Sequence, residues 1–202
     1  MSKIKAVVFD IGNVLVGWQP ARVYDEFIGP ERRRALFEAV DLEAMNARVD
    51  RGAALGESVE ALCEAHPDWA AEIRIWHDHW DAMFAPVIPE NVALLRALKA
   101  QGVPVFALSN FGVDTFARAQ AAHDFLHEFD QSFISGHLGA LKPEPEIYQA
   151  LEAATRFWGE SLFFIDDRAE NIAAARARGW RAHHFADPAA LRRDLSELGV
   201  LA

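Results

Sequence analysis

Cysteine is almost missing from this chain of 202 residues: Cys63 stands alone, which excludes an internal disulfide and points to a reducing compartment. Positive charge is scarce too. Against 30 Asp and Glu stand 20 Lys and Arg, a formal charge of −10, which argues against nucleic acid or an anionic membrane surface as the main partner. An anionic small molecule stays open, because a metal in a pocket outweighs the field of the whole chain locally. No apolar run approaches the length of a membrane span, and none follows the lysines at the N-terminus, so a cytoplasmic location is expected. Internal repeats and low-complexity segments are also lacking.

What the chain does have is length for one good core, or one core with a smaller appended module. Its first clear signal is Ala6-Val7-Val8-Phe9, too short for a helix and without alternation, as expected of a strand covered on both faces of a parallel sheet. That strand delivers Asp10 into the turn Ile11-Gly12-Asn13. Ligands of such sheets gather at the strands' carboxyl ends. Asp10 alone reads equally well as a nucleophile, a metal ligand or a turn residue.

Residues 16–88 change character, with Ala, Leu, Glu and Arg at helical spacing and no β-branched runs. The pattern predicts an all-helical insert with helices over 20–28, 30–39, 42–49, 58–65 and 68–84, a break at 52–56, and Ser58 as a cap. Trp69, Ile73, Trp76, Trp80 and Phe84 recur at three- and four-residue steps, a stripe read as the insert's own core. From Pro89 helices and strands alternate. Strands are expected over 103–108, 132–134, 161–165 and 181–185, with helices from 89 to Gly102 and over 113–127, 142–157, 169–178 and 188–198, and a tight turn or hairpin at 136–141. Alternation of this kind implies right-handed crossovers and a parallel sheet, an α/β Rossmann-like core.

Four strand ends or neighbouring loops carry polar groups: Asp10, Ser109-Asn110, Lys142 and Asp166-Asp167. A parallel sheet brings these ends to one edge. Carboxylates gathered there need a cation to stay ionised, and hard oxygen donors favour Mg²⁺. With a serine and a lysine to hold phosphoryl oxygens, the set proposes phosphoryl transfer through attack by Asp10.

With its motifs in order, Phe9-Asp10-Ile11-Gly12-Asn13-Val14-Leu15, Leu108-Ser109-Asn110, Leu141-Lys142-Pro143 with Pro145 and Tyr148, and Phe164-Ile165-Asp166-Asp167, the chain resembles the haloacid dehalogenase-like hydrolase superfamily over essentially its whole length. Sugar-phosphate phosphatases whose first motif reads Asp-x-Gly-Asn are the nearest resemblance. The resemblance implies a core formed by residues 1–15 and 89–202 and a helical C1 cap over 16–88 that chooses the substrate. It implies Asp10 as nucleophile and Mg²⁺ ligand, the Gly12 carbonyl, Asp166 and Asp167 as further metal ligands, and Ser109 as a donor to phosphoryl oxygens with the Asn110 backbone helping. Lys142 would neutralise the transferring group, and Asn171 would hydrogen-bond around the acidic loop. The implied activity is Mg²⁺-dependent hydrolysis of a small phosphorylated metabolite by a monomer or homodimer.

One position departs from that pattern. Most phosphatases of the superfamily carry a second Asp two residues after the nucleophile as general acid and base, and here that position is Gly12. Losing a positioned acid or base costs a factor of about 10²–10⁴. The expectation is that a cap residue or an ordered water substitutes. Two other readings are kept: a metal-independent 2-haloacid dehalogenase, which also lacks the second Asp but has a less acidic fourth motif, and a non-catalytic binding protein on the same fold. His77 and His79 are candidates for the cap's inner face, Arg48 and Arg51 for reading substrate anions. His137, His183, His184, Glu144, Glu146 and Cys63 are read as turn, surface, helix-end or core residues.

Overall fold

Four consecutive apolar residues need cover on both faces, and in the computed structural model, which describes residues 4–201, Ala6–Phe9 has it: all four side chains are fully buried. The elements in chain order are strands β1 (Ala6–Phe9) and β2 (Val16–Trp18), helices α1 (Pro20–Ala39), α2 (Leu42–Asp50), α3 (Leu55–Ala65), α4 (Ala70–Asp78) and α5 (Trp80–Met83), and strand β3 (Phe84–Val87). There follow helix α6 (Pro89–Ala100), strand β4 (Val105–Ser109), helix α7 (Val113–Ala122), strand β5 (Gln131–Ile134), the single turn α8 (Ser135–Leu138) and helix α9 (Pro145–Thr155). Strand β6 (Leu162–Asp166), helix α10 (Ala169–Ala177), strand β7 (Arg181–His184) and helix α11 (Pro188–Glu197) complete the chain.

The five main strands form one parallel sheet in the order β5-β4-β1-β6-β7, with Val7 opposite both Val105 and Phe163. From β1 the chain moves outward to β4 and β5, then returns to the other side of β1 for β6 and β7. The order therefore reverses at β1, where a crevice opens at the carboxyl ends. The pleat of β1 divides two apolar layers: Ala6 and Val8 pack with Ile147, Tyr148 and Leu151 of α9 and Ile172 of α10, while Val7 and Phe9 pack with Leu95 and Leu98 of α6 and Leu191 and Leu195 of α11. The second layer continues without a gap into Leu36, Met45, Val59, Ile73 and Trp76 of the helices between β2 and β3.

Local chemistry accounts for the element ends. Pro opens α1, α6, α9 and α11, where its missing N–H costs nothing. The Asp41 carboxylate accepts from the Ala44 N–H at 2.8 Å to cap α2. Gly29, at φ +75, interrupts α1 and separates the two expected helices within it. Inside α6, buried Asn91 donates from Nδ2 to the Val14 carbonyl at 2.6 Å and fastens the loop after β1.

Several expectations are corrected. The insert is not all helical: β2 and β3 pair antiparallel at its two ends, Val16 opposite Val87 and Trp18 opposite Phe84. The helix expected over 68–84 is a 3₁₀ turn at Pro67–Trp69, then α4, a break at His79 (φ −121°, ψ 21°), then α5, with Phe84 already in β3. Ser58 lies inside α3, which starts at Leu55 after Ala54. Of the tight turn or hairpin expected at 136–141 the structure has a turn, the single helical turn α8 ended by left-handed Gly139 (φ 70°), and the helix from Val113 stops at Ala122 before a 3₁₀ turn at Asp124–His127.

The last turn of α2 meets the loop after β4 almost backbone to backbone. A Cβ at Gly112 would lie 2.6 Å from Val49 Cγ1 and 3.0 Å from the Val49 carbonyl oxygen, whereas one at Gly12 meets nothing within 4 Å. Gly112→Ala is therefore expected to cost about 1–3 kcal/mol through overpacking. Gly12→Ala is expected to range from neutral to about 1 kcal/mol stabilising. Urea unfolding of the two variants beside the parent measures both, and equal effects would contradict the close approach.

Candidate active site

The crevice at β1 is where the polar strand ends meet. Asp10 follows β1 directly, and its backbone N–H donates to the Ile165 carbonyl of the neighbouring strand at 2.8 Å. Its Oδ1 accepts from the Ile11 N–H and the Ser109 hydroxyl, both at 2.7 Å. Lys142 Nζ lies 2.9 Å from the same oxygen and 2.7 Å from Asp166 Oδ2. All four side chains are buried. Burial pushes the Asp10 carboxyl up to about 7, with Lys142 pulling it down and Asp166 pushing it further up. Burial also works against the Lys142 ammonium, but Asp10 and Asp166 outweigh it and hold the lysine above its ordinary value.

Neighbouring groups fix these side chains. Asn110 Oδ1 accepts from the Lys142 N–H at 2.7 Å while its Nδ2 donates to the Lys142 carbonyl at 3.0 Å, so the loop carrying the lysine is tied to the end of β4. Asn171 Nδ2 reaches both Asp166 oxygens at 3.0 and 3.1 Å, and the Arg168 N–H donates to Oδ1 at 2.8 Å. Asp167 is held from two sides: Asn13 Nδ2 donates to its carboxylate at 3.0 Å, and His184 Nε2 donates to its carbonyl at 2.8 Å. Asn13, at φ 55°, also accepts the Trp18 N–H at 2.9 Å, linking β2 to the acidic loop. Sequence reasoning assigned Asn13 no role of its own and His184 only that of a packing or surface residue, because neither residue type signals a tether until the strand ends are placed.

Asp10, Asp166 and Asp167 each offer an oxygen within 4.8 Å of the others. Among the described residues Lys142 is the one cation bonded between two of them, and three carboxylates in that space leave room in the charge balance for a divalent ion. An all-oxygen set suits a hard cation such as Mg²⁺. Gly12 lines the same pocket.

A pocket of about 200 Å³ opens above this cluster. Its floor is Asp10, Ser109, Lys142 and Asp167, and its wall is aromatic: Trp18, Trp80, Phe84 and Phe111. Trp80 stacks on Phe84 with centroids 5.4 Å apart, and Phe111 meets Phe84 edge-on at 5.2 Å. The stripe expected to be only core is thus core on one side and pocket wall on the other. Asp50 and Asn46 of α2 also line the pocket; among the many acidic residues of the insert, no sequence signal distinguishes Asp50. The candidate cap residues fare differently. His77 is exposed and pairs with Asp78, and His79 packs on Phe27 with centroids 4.0 Å apart, both outside the pocket lining. Arg51 forks onto Glu144 at 2.5 and 3.1 Å and reaches the Gly139 carbonyl at 3.2 Å, while Arg48 is exposed and off the lining.

Known proteins were compared with this arrangement. A sesquiterpene phosphatase of Aspergillus oryzae is 26% identical over 202 residues, covering 96% of each chain. An enzyme of the same superfamily from Bacteroides thetaiotaomicron, solved with magnesium and inorganic phosphate, superposes with a TM-score of 0.69 at 19% identity over 89% of this chain and 93% of its own. L-2-haloacid dehalogenase of Xanthobacter autotrophicus superposes with a TM-score of 0.64 at 20% identity over 96% and 83%. Both structures share the fold and do not choose between the two chemistries. The family model for haloacid dehalogenase-like hydrolases matches residues 4–179, and with the ordered strand ends at one crevice the chain belongs to that family of hydrolases.

Proposed function

We propose that the chain is a Mg²⁺-dependent phosphomonoesterase that passes a phosphoryl group from a small metabolite to Asp10 and then to water. The observation that carries this reading is the meeting of Asp10, Asp166 and Asp167 within 4.8 Å beside buried Lys142. A dehalogenase attacking carbon without a metal has no use for three converging carboxylates, and a binding protein has none for a buried nucleophile hydrogen-bonded to serine and lysine. The phosphatase relative from Aspergillus oryzae supports the same choice.

Asp10 attacks phosphorus, and the bond to the leaving oxygen breaks. Ser109 Oγ, now donating to Asp10, stands where it can turn its hydrogen bond to a phosphoryl oxygen. Lys142 supplies fixed positive charge where those oxygens gather negative charge, without needing to reorient. Asn110 and Asn171 hold Lys142 and Asp166 in place. Bound by Asp10, Asp166 and Asp167, Mg²⁺ would supply neutralisation of the carboxylate and phosphoryl charge.

The helices between β2 and β3 would act as a cap over the pocket, with β2 and β3 as its two connections and the core made of residues 1–15 and 89–202. The aromatic wall suits a substrate with an apolar face, whether the CH face of a sugar or a hydrocarbon. No helix among the described residues is long and apolar enough to cross a membrane, and we place the enzyme in the cytoplasm as a monomer or homodimer, with neither nucleic acid nor membrane as partner.

Phosphate release from a panel of sugar and alkyl phosphates is expected with Mg²⁺ and to stop with EDTA, and Asp10→Asn is expected to lower it by a factor on the order of 10³ or more. Halide release from a 2-haloacid in EDTA, without phosphate release, would reverse the assignment. Lys142→Met removes the cation between two buried carboxylates and is expected to cost about 3–5 kcal/mol in EDTA. Part of that loss should return with added Mg²⁺, as read by urea unfolding; no response to Mg²⁺ would argue against a metal at the three carboxylates.

A further inference from the structure

Gly12 presents no acid to the pocket, but the helical insert does. Asp50, the last residue of α2, lines the same pocket as Asp10, Gly12, Ser109 and Lys142. Its position is fixed by the core rather than left to a mobile lid. The close approach at Gly112 seats Val49 and Asp50 against the loop after β4. The Ser135 hydroxyl, at the start of α8, donates to the Asp50 carbonyl at 2.5 Å and itself accepts the Phe111 N–H at 2.8 Å. The next residue, Arg51, is forked onto Glu144 just beyond Lys142. The Asp50 carboxyl accepts from Asn46 Nδ2 at 2.9 Å. Burial pushes this carboxyl up to about 7, while the Gly112 N–H and the Lys142 ammonium hold it down. A carboxyl in that condition gives and takes a proton readily near neutrality.

We propose that Asp50 is the general acid and base of the phosphoryl transfer, supplied by α2 in place of the side chain that Gly12 lacks. The inference rests on Asp10 being the phosphoryl acceptor. In the first step the electron pair of the P–O bond passes to the leaving oxygen, which takes the proton of the Asp50 carboxylic acid and departs as an alcohol. In the second step water attacks the phosphorus of the Asp10 acyl phosphate. The Asp50 carboxylate removes a proton from that water, Asp10 leaves as carboxylate, and inorganic phosphate is released. Asp50 ends protonated as it began, and the sum is ester plus water giving alcohol plus phosphate.

The test is a leaving-group series of phosphate esters, from p-nitrophenyl phosphate to alkyl phosphates, with Mg²⁺. The parent is expected to show little dependence on the leaving group, because its departing oxygen is protonated. Asp50→Asn should lose a factor of about 10² or more in kcat/KM on alkyl esters. On p-nitrophenyl phosphate it should give a burst of about one equivalent of nitrophenol followed by slow turnover, as the acyl phosphate waits for a base. Gly12→Asp in the Asp50→Asn background should restore alkyl-ester activity at least about tenfold, since the space beside Gly12 is open.

Equal losses on every ester without a burst, or a hundredfold gain from Gly12→Asp in the parent, would overturn the role of Asp50 and leave the phosphatase reading standing. No phosphate release by the parent from any ester would overturn both. If Asp50→Asn does not fold, Asp50→Glu takes its place: a loss in kcat/KM confined to alkyl esters supports the role, and a loss in kcat/KM uniform across the series refutes it.

Discussion

The ion pair of Lys142 with Asp10 and Asp166 is the constraint to which the rest of the site answers. Three charges with almost no exposure are costly to bury, and one lysine between two carboxylates repays that only if distances and remaining hydrogen bonds are fixed. The sheet supplies the fixing. Asp10 and Asp166 end adjacent strands whose register is set by fully buried side chains, so their separation does not drift. Lys142 arrives from a loop, and the reciprocal pair between its peptide and the Asn110 amide gives that loop the precision of a strand end. The Arg168 N–H and the Asn171 amide occupy Oδ1, the Asp166 oxygen that the lysine leaves free, and Asn171 reaches Oδ2 as well. Burial pushes the Asp10 carboxyl up to about 7 even beside an ammonium, and a divalent ion held there would favour its carboxylate form.

How much of this could be read from residue order depends on the kind of signal. Strands β1, β4 and β6 are legible because both faces are buried and their apolar runs are unbroken, and the polar residues that end them are then brought to one edge by topology alone. Family motifs sharpened the reading of Asp10, Ser109, Lys142 and Asp166, which the sheet order gathers at one crevice. The ribbon of β2 and β3 was hidden. It is three and four residues long, contains Gly17 and Pro86, and its Phe84 keeps step with a helical stripe. The break at His79 was hidden for the same reason, because periodicity survives a short interruption. Asp50 was illegible in principle: its environment is made by Gly112, Ser135 and Asn46, of which only Asn46 is close in sequence.

The aromatic residues show why a core reading and a site reading need not compete. Trp80 and Phe84 are almost wholly buried, and they also face the pocket beside Trp18 and Phe111. Packing against one another immobilises the rings, so a ligand meets a wall already ordered and spends little on arranging it. In the proposed function the polar floor and the apolar wall would divide the recognition of a phosphate ester between its charged and uncharged halves.

The apolar layer that runs without a gap from Phe9 and Leu95 into Val59 and Trp76 has a mechanical consequence. Helices that share their interior with the sheet cannot lift away as a body without exposing it, so any motion admitting substrate is a small sliding of packed surfaces rather than a wide hinge. For the same reason sheet and insert are expected to lose their structure together, with amides in the interior of α3 and α4 exchanging as rarely as those of the sheet beneath them.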